Sequence, residues 1–254
     1  MFKNFFEQFV FFPSNEMKKF PSNFNIEYED VNLNYNEYNI HGWFIPNKNL
    51  NEITKDKVIL FFHGNAGNIS FRLNYIKKLN ELDFSLLFFD YTGFGLSEGS
   101  PNEENCINTG EIFYNYLLNE KKYDKNNIIF YGESIGGSIA CSLGNKLNIK
   151  YLILQSTFTD IKLIIKKILS IDFLSITNIG FNTLNSLKNR YKLNKLKKVM
   201  KTLIIHSNND ELIDVSHAHE LKKFSDDLII CDGSHSNIII DDDFIFNFIT
   251  FFKD

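Results

Sequence analysis

The pattern of this 254-residue sequence predicts an α/β protein, a mainly parallel sheet with helices on both faces. Short continuous apolar runs such as Val58–Phe62 and Ser85–Phe89 read as strands buried on both sides. Stretches with helical spacing separate them, and strand–helix alternation of this kind builds parallel sheets through right-handed crossovers. Composition agrees: 44% hydrophobic and 23% charged residues exclude a wholly disordered chain. A formal net charge of −4 gives no general pull toward nucleic acid. No apolar run reaches the about 18 residues that a membrane-spanning helix needs.

The elements follow in order. Phe2, Phe5, Phe6 and Phe9 have helical spacing, with Phe11 and Phe12 behind them. Lys3 and Glu7 interrupt the run, and it lacks the small-residue cleavage site of a secretory signal. It reads as an amphipathic helix that docks on the domain's own core or lies on a membrane surface. No cysteine nearby could carry palmitate, and Phe2 is not the glycine that myristoylation needs. Residues 1–26 therefore stand as an N-terminal Phe-rich segment before a domain at 27–254. Residues 27–35 and 38–45 alternate apolar and polar across Asn36-Glu37, an antiparallel hairpin. Strands are expected at 58–62, 85–89, 127–131, 151–154, 201–205 and 227–231. Helices are expected at 71–82, 103–118, 134–146, 216–224 and 241–252. Aspartates open the last of these, where the helix dipole favours them. An insert at about 157–200 has room for two or three helices. Its first part is apolar, with Ile161, Leu163, Ile164, Ile168, Leu169, Phe173, Leu174 and Ile176. Its second part, 188–201, carries Arg190, Lys192, Lys195, Lys197 and Lys198 with no acid. Cys106, Cys141 and Cys231 match no metal or redox spacing and read as free thiols in a reducing compartment.

In sheets of this kind ligands bind at the carboxyl ends of the strands. After the strand at 127–131 comes Gly132-Glu133-Ser134-Ile135-Gly136-Gly137, a G-x-S-x-G between strand and helix. That pattern puts a serine on a strained turn that only glycines can flank. After the strand at 58–62 comes His63-Gly64-Asn65-Ala66-Gly67-Asn68. Such a loop can offer backbone N–H groups to a developing oxyanion, here those of Asn65 and Ile135. Asn68 can also cap the helix that follows. A serine nucleophile needs a base, and the base an orienting carboxylate. Asp210 and His235 follow later strands, in the order Ser, Asp, His. Asp160, Glu211 and Asp214 compete for the acid. For the base, His41 lies in the hairpin, His63 and His206 follow strands in structural positions, and His217 and His219 fall on a helix.

Five blocks, 63–68, Asp90 to Gly99, 132–137, 206–210 and 232–235, together resemble the α/β-hydrolase superfamily in order and spacing. Within it the likeness is to small acyl hydrolases with serine-aminopeptidase-like domains, some of them membrane-associated lipid hydrolases and protein depalmitoylases. The resemblance implies a mainly parallel eight-stranded sheet, an N-terminal antiparallel hairpin and a Ser134–His235–Asp210 triad needing no cofactor or metal. Thr92, Ser207 and Asp214 depart from the usual Arg, Gly and Pro of the branch; none is a triad member. The expected activity is hydrolysis of ester or thioester bonds in a lipid or acylated protein, through an acyl-enzyme. A serine peptidase or amidase is one alternative, and a non-catalytic interaction protein on this scaffold another. The expected setting is intracellular: cytoplasmic, or peripherally bound to membrane through the N-terminus or residues 188–201, with no nucleic-acid partner.

Overall fold

A computed structural model describes residues 10–48, 50–169, 180–197 and 199–253. Its strands are β1 (Phe12–Pro13), β2 (Glu29–Tyr35), β3 (Tyr38–Ile45), β4 (Val58–Phe62), β5 (Ala66–Gly67), β6 (Ser85–Phe89), β7 (Ile128–Glu133), β8 (Tyr151–Gln155), β9 (Lys201–Ser207), β10 (Asp227–Cys231), β11 (Gly233–Ser234) and β12 (Asn237–Ile238). Its α-helices are α1 (Leu73–Glu81), α2 (Glu103–Asn119), α3 (Ile135–Leu147), α4 (Ile161–Leu169), α5 (Thr183–Lys197), α6 (Ser216–Lys222) and α7 (Asp242–Thr250).

Eight strands form one sheet in the order β10-β9-β8-β7-β4-β6-β3-β2. Every neighbouring pair from β10 to β6 is parallel, whereas β3 is antiparallel to β6 and to β2. The expected sheet and hairpin are both present. Tyr35 pairs with Tyr38, and Asn36 takes φ 55°, the left-handed conformation a two-residue hairpin turn requires.

Side-chain alternation divides the core in two. Leu60, Phe62 and Phe130 join the cluster under α2 and α3. Their neighbours Phe61, Ile129 and Tyr131 join the cluster under α1 and α7. Phenylalanines stack within the sheet and from it onto a helix: Phe61 on its neighbour-strand partner Phe88 at 4.3 Å, and Phe89 on Phe113 of α2 at 4.9 Å. Asn102 and Asp241 accept hydrogen bonds from Asn105 N–H and Phe244 N–H, capping α2 and α7.

Some local expectations change. β9 continues past its apolar run because β10 still offers backbone partners, Ile230 to His206 and Cys231 to Ser207. His206 therefore lies within β9, one residue from its end, and does not follow a strand. Two-residue pairings β1–β5 and β11–β12 add to the expected elements. The helix expected from Phe2 to Phe9 lies outside the described residues, as do Phe173, Leu174, Ile176 and Lys198. The insert contributes α4 and α5. Arg190 does not join a basic face on α5. It is 1% exposed, and its guanidinium donates to the carbonyls of Ile149, Lys150 and Lys201 and to Thr202 Oγ1. Those acceptors lie just before β8 and at the start of β9, so Arg190 fastens the insert to the sheet. No helix among the described residues is long and apolar enough to cross a membrane.

Candidate active site

Ser134 lies between β7 and α3 with φ 55° and ψ −119°, a strained conformation for any L side chain. The elbow is tight enough to require its glycines. A Cβ on Gly132 would stand 2.4 Å from Gly136 O, and one on Gly136 would stand 2.1 Å from Phe62 O. The turn is tied down by Ser134 N–H donating to Gln155 O at 2.9 Å and Thr157 Oγ1 donating to Ser134 O at 2.7 Å.

The loops after β9 and β10 bring Asp210 and His235 to this serine. His235 Nε2 is 3.2 Å from Ser134 Oγ. His235 Nδ1 is 2.8 Å from Asp210 Oδ2 and 3.1 Å from Oδ1. A carboxylate can only accept, so Nδ1 carries the proton and Nε2 is left to accept from the serine hydroxyl. Burial works against the charge on Asp210, but bonds from His206, His235 and Ile213 N–H hold its pKa well below the ordinary carboxylate value. Leu212 N–H adds another donor, at 3.0 Å. The backbone N–H of His235 donates to Glu211 Oε2 at 3.0 Å. Glu211, one of the competing acids, thus holds the histidine's backbone.

The other candidates are engaged elsewhere. Asp214 accepts from Ser216 N–H, and Asp160 from Asn182 Nδ2 and Lys162 N–H. His41 contacts Asp30 in the hairpin, and His217 Nδ1 accepts from Thr159 N–H. His63 is wholly buried with Nδ1 on Gly64 O at 2.7 Å. Burial, assisted by Arg72, pushes its pKa down to about 3, far from what a base needs near neutrality. Asn68 Oδ1 accepts from Ser70 N–H, capping the short turn before α1.

Asn65 and Ile135 line the same cleft as Ser134 and His235. Ile135 opens α3, so its N–H points from a helix N-terminus. The cleft holds about 320 Å³, and one side of it is apolar, with Phe158, Ile161, Ile164 and Ile168 from the insert and Leu212 and Ile213 after Asp210, while Arg72 and Glu133 lie on the other. Among the described residues no group of three or more histidine, cysteine or acidic side chains could hold a metal ion.

Sequence reasoning missed the support beneath the Asn65 loop. Glu133 is 2% exposed, and its Oε2 accepts from Gly64 N–H at 3.1 Å and Arg72 Nε at 2.8 Å. Arg72 also donates to Ala66 O at 3.1 Å. The one available signal was a carboxylate inside the elbow, since a buried carboxylate needs partners. A second missed group is the chain Tyr131 Oη to Gln155 to Tyr75 Oη, at 2.6 and 2.7 Å. It ends on Ser236 O, beside His235.

A family model described as serine aminopeptidase, S33, matches residues 54–176, which include the Asn65 loop and the elbow. Uncharacterized protein R595 of Acanthamoeba polyphaga mimivirus is 34% identical over 224 residues, 78% of this chain and 74% of that one. The putative alpha/beta hydrolase L404 of the same virus is 30% identical over 205 residues, 76% of this chain and 73% of that one. Among solved structures, the Pyrococcus furiosus esterase Pf2001 superposes with a TM-score of 0.71, covering 95% of this chain and 97% of that one. At 18% identity that likeness concerns the fold. With sheet order, elbow and relatives all in agreement, this chain belongs to the α/β-hydrolase superfamily.

Proposed function

We propose that this chain is a serine hydrolase that cleaves carboxylic ester or thioester bonds of a lipid or acylated substrate. Family membership supports a hydrolase. The observation that carries the finer reading is the continuous hydrogen-bond line from Ser134 Oγ through His235 to Asp210, beside an apolar cleft. In this reading Ser134 Oγ attacks the acyl carbonyl while His235 Nε2 takes its proton. Asp210, ionised, steadies the imidazolium and fixes its tautomer. The N–H groups of Asn65 and Ile135 receive the oxyanion. His235 then returns the proton to the leaving alcohol or thiol. Water, activated by the same histidine, releases the acyl group.

A fluorophosphonate probe tests the proposal. Label is expected on the wild type and none on Ser134→Ala; an unlabelled, folded wild type would count against it. Comparing p-nitrophenyl esters with aminoacyl anilides then separates an esterase from a peptidase or amidase. The proposal extends to a peripheral contact with anionic lipid. With Arg190 buried, it rests on Lys192 and Lys195, exposed on α5. Vesicle binding indifferent to anionic lipid would remove that part.

A further inference from the structure

A strap at residues 10–14 lines one side of the cleft. Phe12 and Pro13 pair in parallel with Ala66 and Gly67, along the loop that carries Asn65. The Phe12 N–H donates to both oxygens of Asn65, the carbonyl at 3.4 Å and Oδ1 at 3.2 Å. Ser14 N–H donates to Gly67 O at 3.1 Å. Ser14 O in turn accepts from Gly95 N–H at 3.0 Å and from Asn68 Nδ2 at 2.8 Å. The strap is therefore fastened along its backbone, so the Phe12 ring is not needed to hold it. Strand alternation sends them in opposite directions. Phe11 is buried, edge-on to Phe94 and Phe181. Val10 and Phe12 line the cleft with Ser134. Phe12 remains 58% exposed, a large apolar ring at the lip of the candidate site.

We infer that Phe12 is a specificity-determining residue: its ring is the wall that limits the length of the acyl chain accepted beside Ser134. This rests on the reading of Ser134 as nucleophile. The cleft volume of about 320 Å³ stands at the lower end of ligand sites, which span about 300–1,000 Å³. Such a space suits an acyl group of short to medium length. Each methylene that fits adds about fourfold to kcat/KM (about 0.8 kcal/mol), and a methylene that meets the wall adds nothing. A plot of kcat/KM against chain length therefore rises and then breaks, and the ring sets the break.

The test is a p-nitrophenyl ester series from acetate to dodecanoate, with the leaving group held constant. Phe12→Ala should move the break to longer chains by two carbons or more. Phe12→Trp should move it to shorter ones. The ring is more than half exposed and its fastening bonds are backbone bonds, so both variants should fold, as circular dichroism would verify, and both should label with the fluorophosphonate. A break that stays in place in both labelled variants overturns the inference and leaves the hydrolase reading standing. A shift seen only when the leaving group is lengthened also overturns it, because the ring would then serve the opposite side of the scissile bond. No label and no turnover in the wild type overturns the reading of Ser134, and this inference with it.

Discussion

Two histidine–aspartate pairs stand at the carboxyl edge of the sheet, and they are opposite in kind. Asp210 collects His235, His206 and the N–H groups of Leu212 and Ile213, and it stays ionised. Asp90 receives a single backbone donor, Ile69 N–H, and its Oδ2 has no partner among the described residues. Burial lifts its pKa to about 8. His63, with Nε2 3.5 Å away, is pushed down to about 3 by its own burial. At neutral pH one pair holds a charge and the other holds none. The residue types are the same; the supply of donors to the carboxylate differs, and it decides whether the pair can support an imidazolium.

The largest expected effect breaks the charged pair. His235→Ala should lower kcat by about 10⁴- to 10⁶-fold on a p-nitrophenyl ester while the melting temperature changes little. His63→Ala should do the reverse. A urea titration should show a loss of about 2–4 kcal/mol as a cavity opens in the core, with most of the turnover kept. If His63→Ala abolished turnover in well-folded protein, the neutral pair would have a chemical part after all.

A second test concerns pH. Between the ordinary value of 3.8 and about 8 the folded chain keeps a proton on Asp90 that the unfolded chain has lost. Stability from this group is thus complete below that window and declines as pH rises through it. Asp90→Asn removes the titration. Its melting temperature should exceed that of the wild type at pH 8, and the gap should close toward pH 4. A gap independent of pH would refute the neutral assignment of Asp90.

The smallest effect sharpens the charged side. Glu211→Gln weakens the acceptor for His235 N–H, and kcat should fall by about three- to tenfold with KM unchanged. A rise in KM alone would mean that Glu211 acts on substrate and not on the histidine.

The elbow is legible in the sequence because its signal is local. Gly132, Ser134 and Gly136 lie within one turn, and each answers to a clash that the turn itself creates. Asp210 and His235 are legible because chemistry in a parallel sheet gathers at strand ends. Glu133 and Arg72 are not, since they meet across 61 residues and neither belongs to a pattern. Arg190 is misread for a related reason: a charge on a helix is assigned to water by default, and the carbonyls that hold it come from other strands. Pro13 and Phe12 escape because two residues cannot display a period.

Phe11 packs against Phe181, and the strap it belongs to closes on a loop of the finished sheet. During synthesis that strap precedes Phe181, and Phe181 precedes His235. The strap is therefore made well before the aromatic ring it packs against. A nascent chain can hold several strands of its sheet and still lack the contacts that shape the cleft.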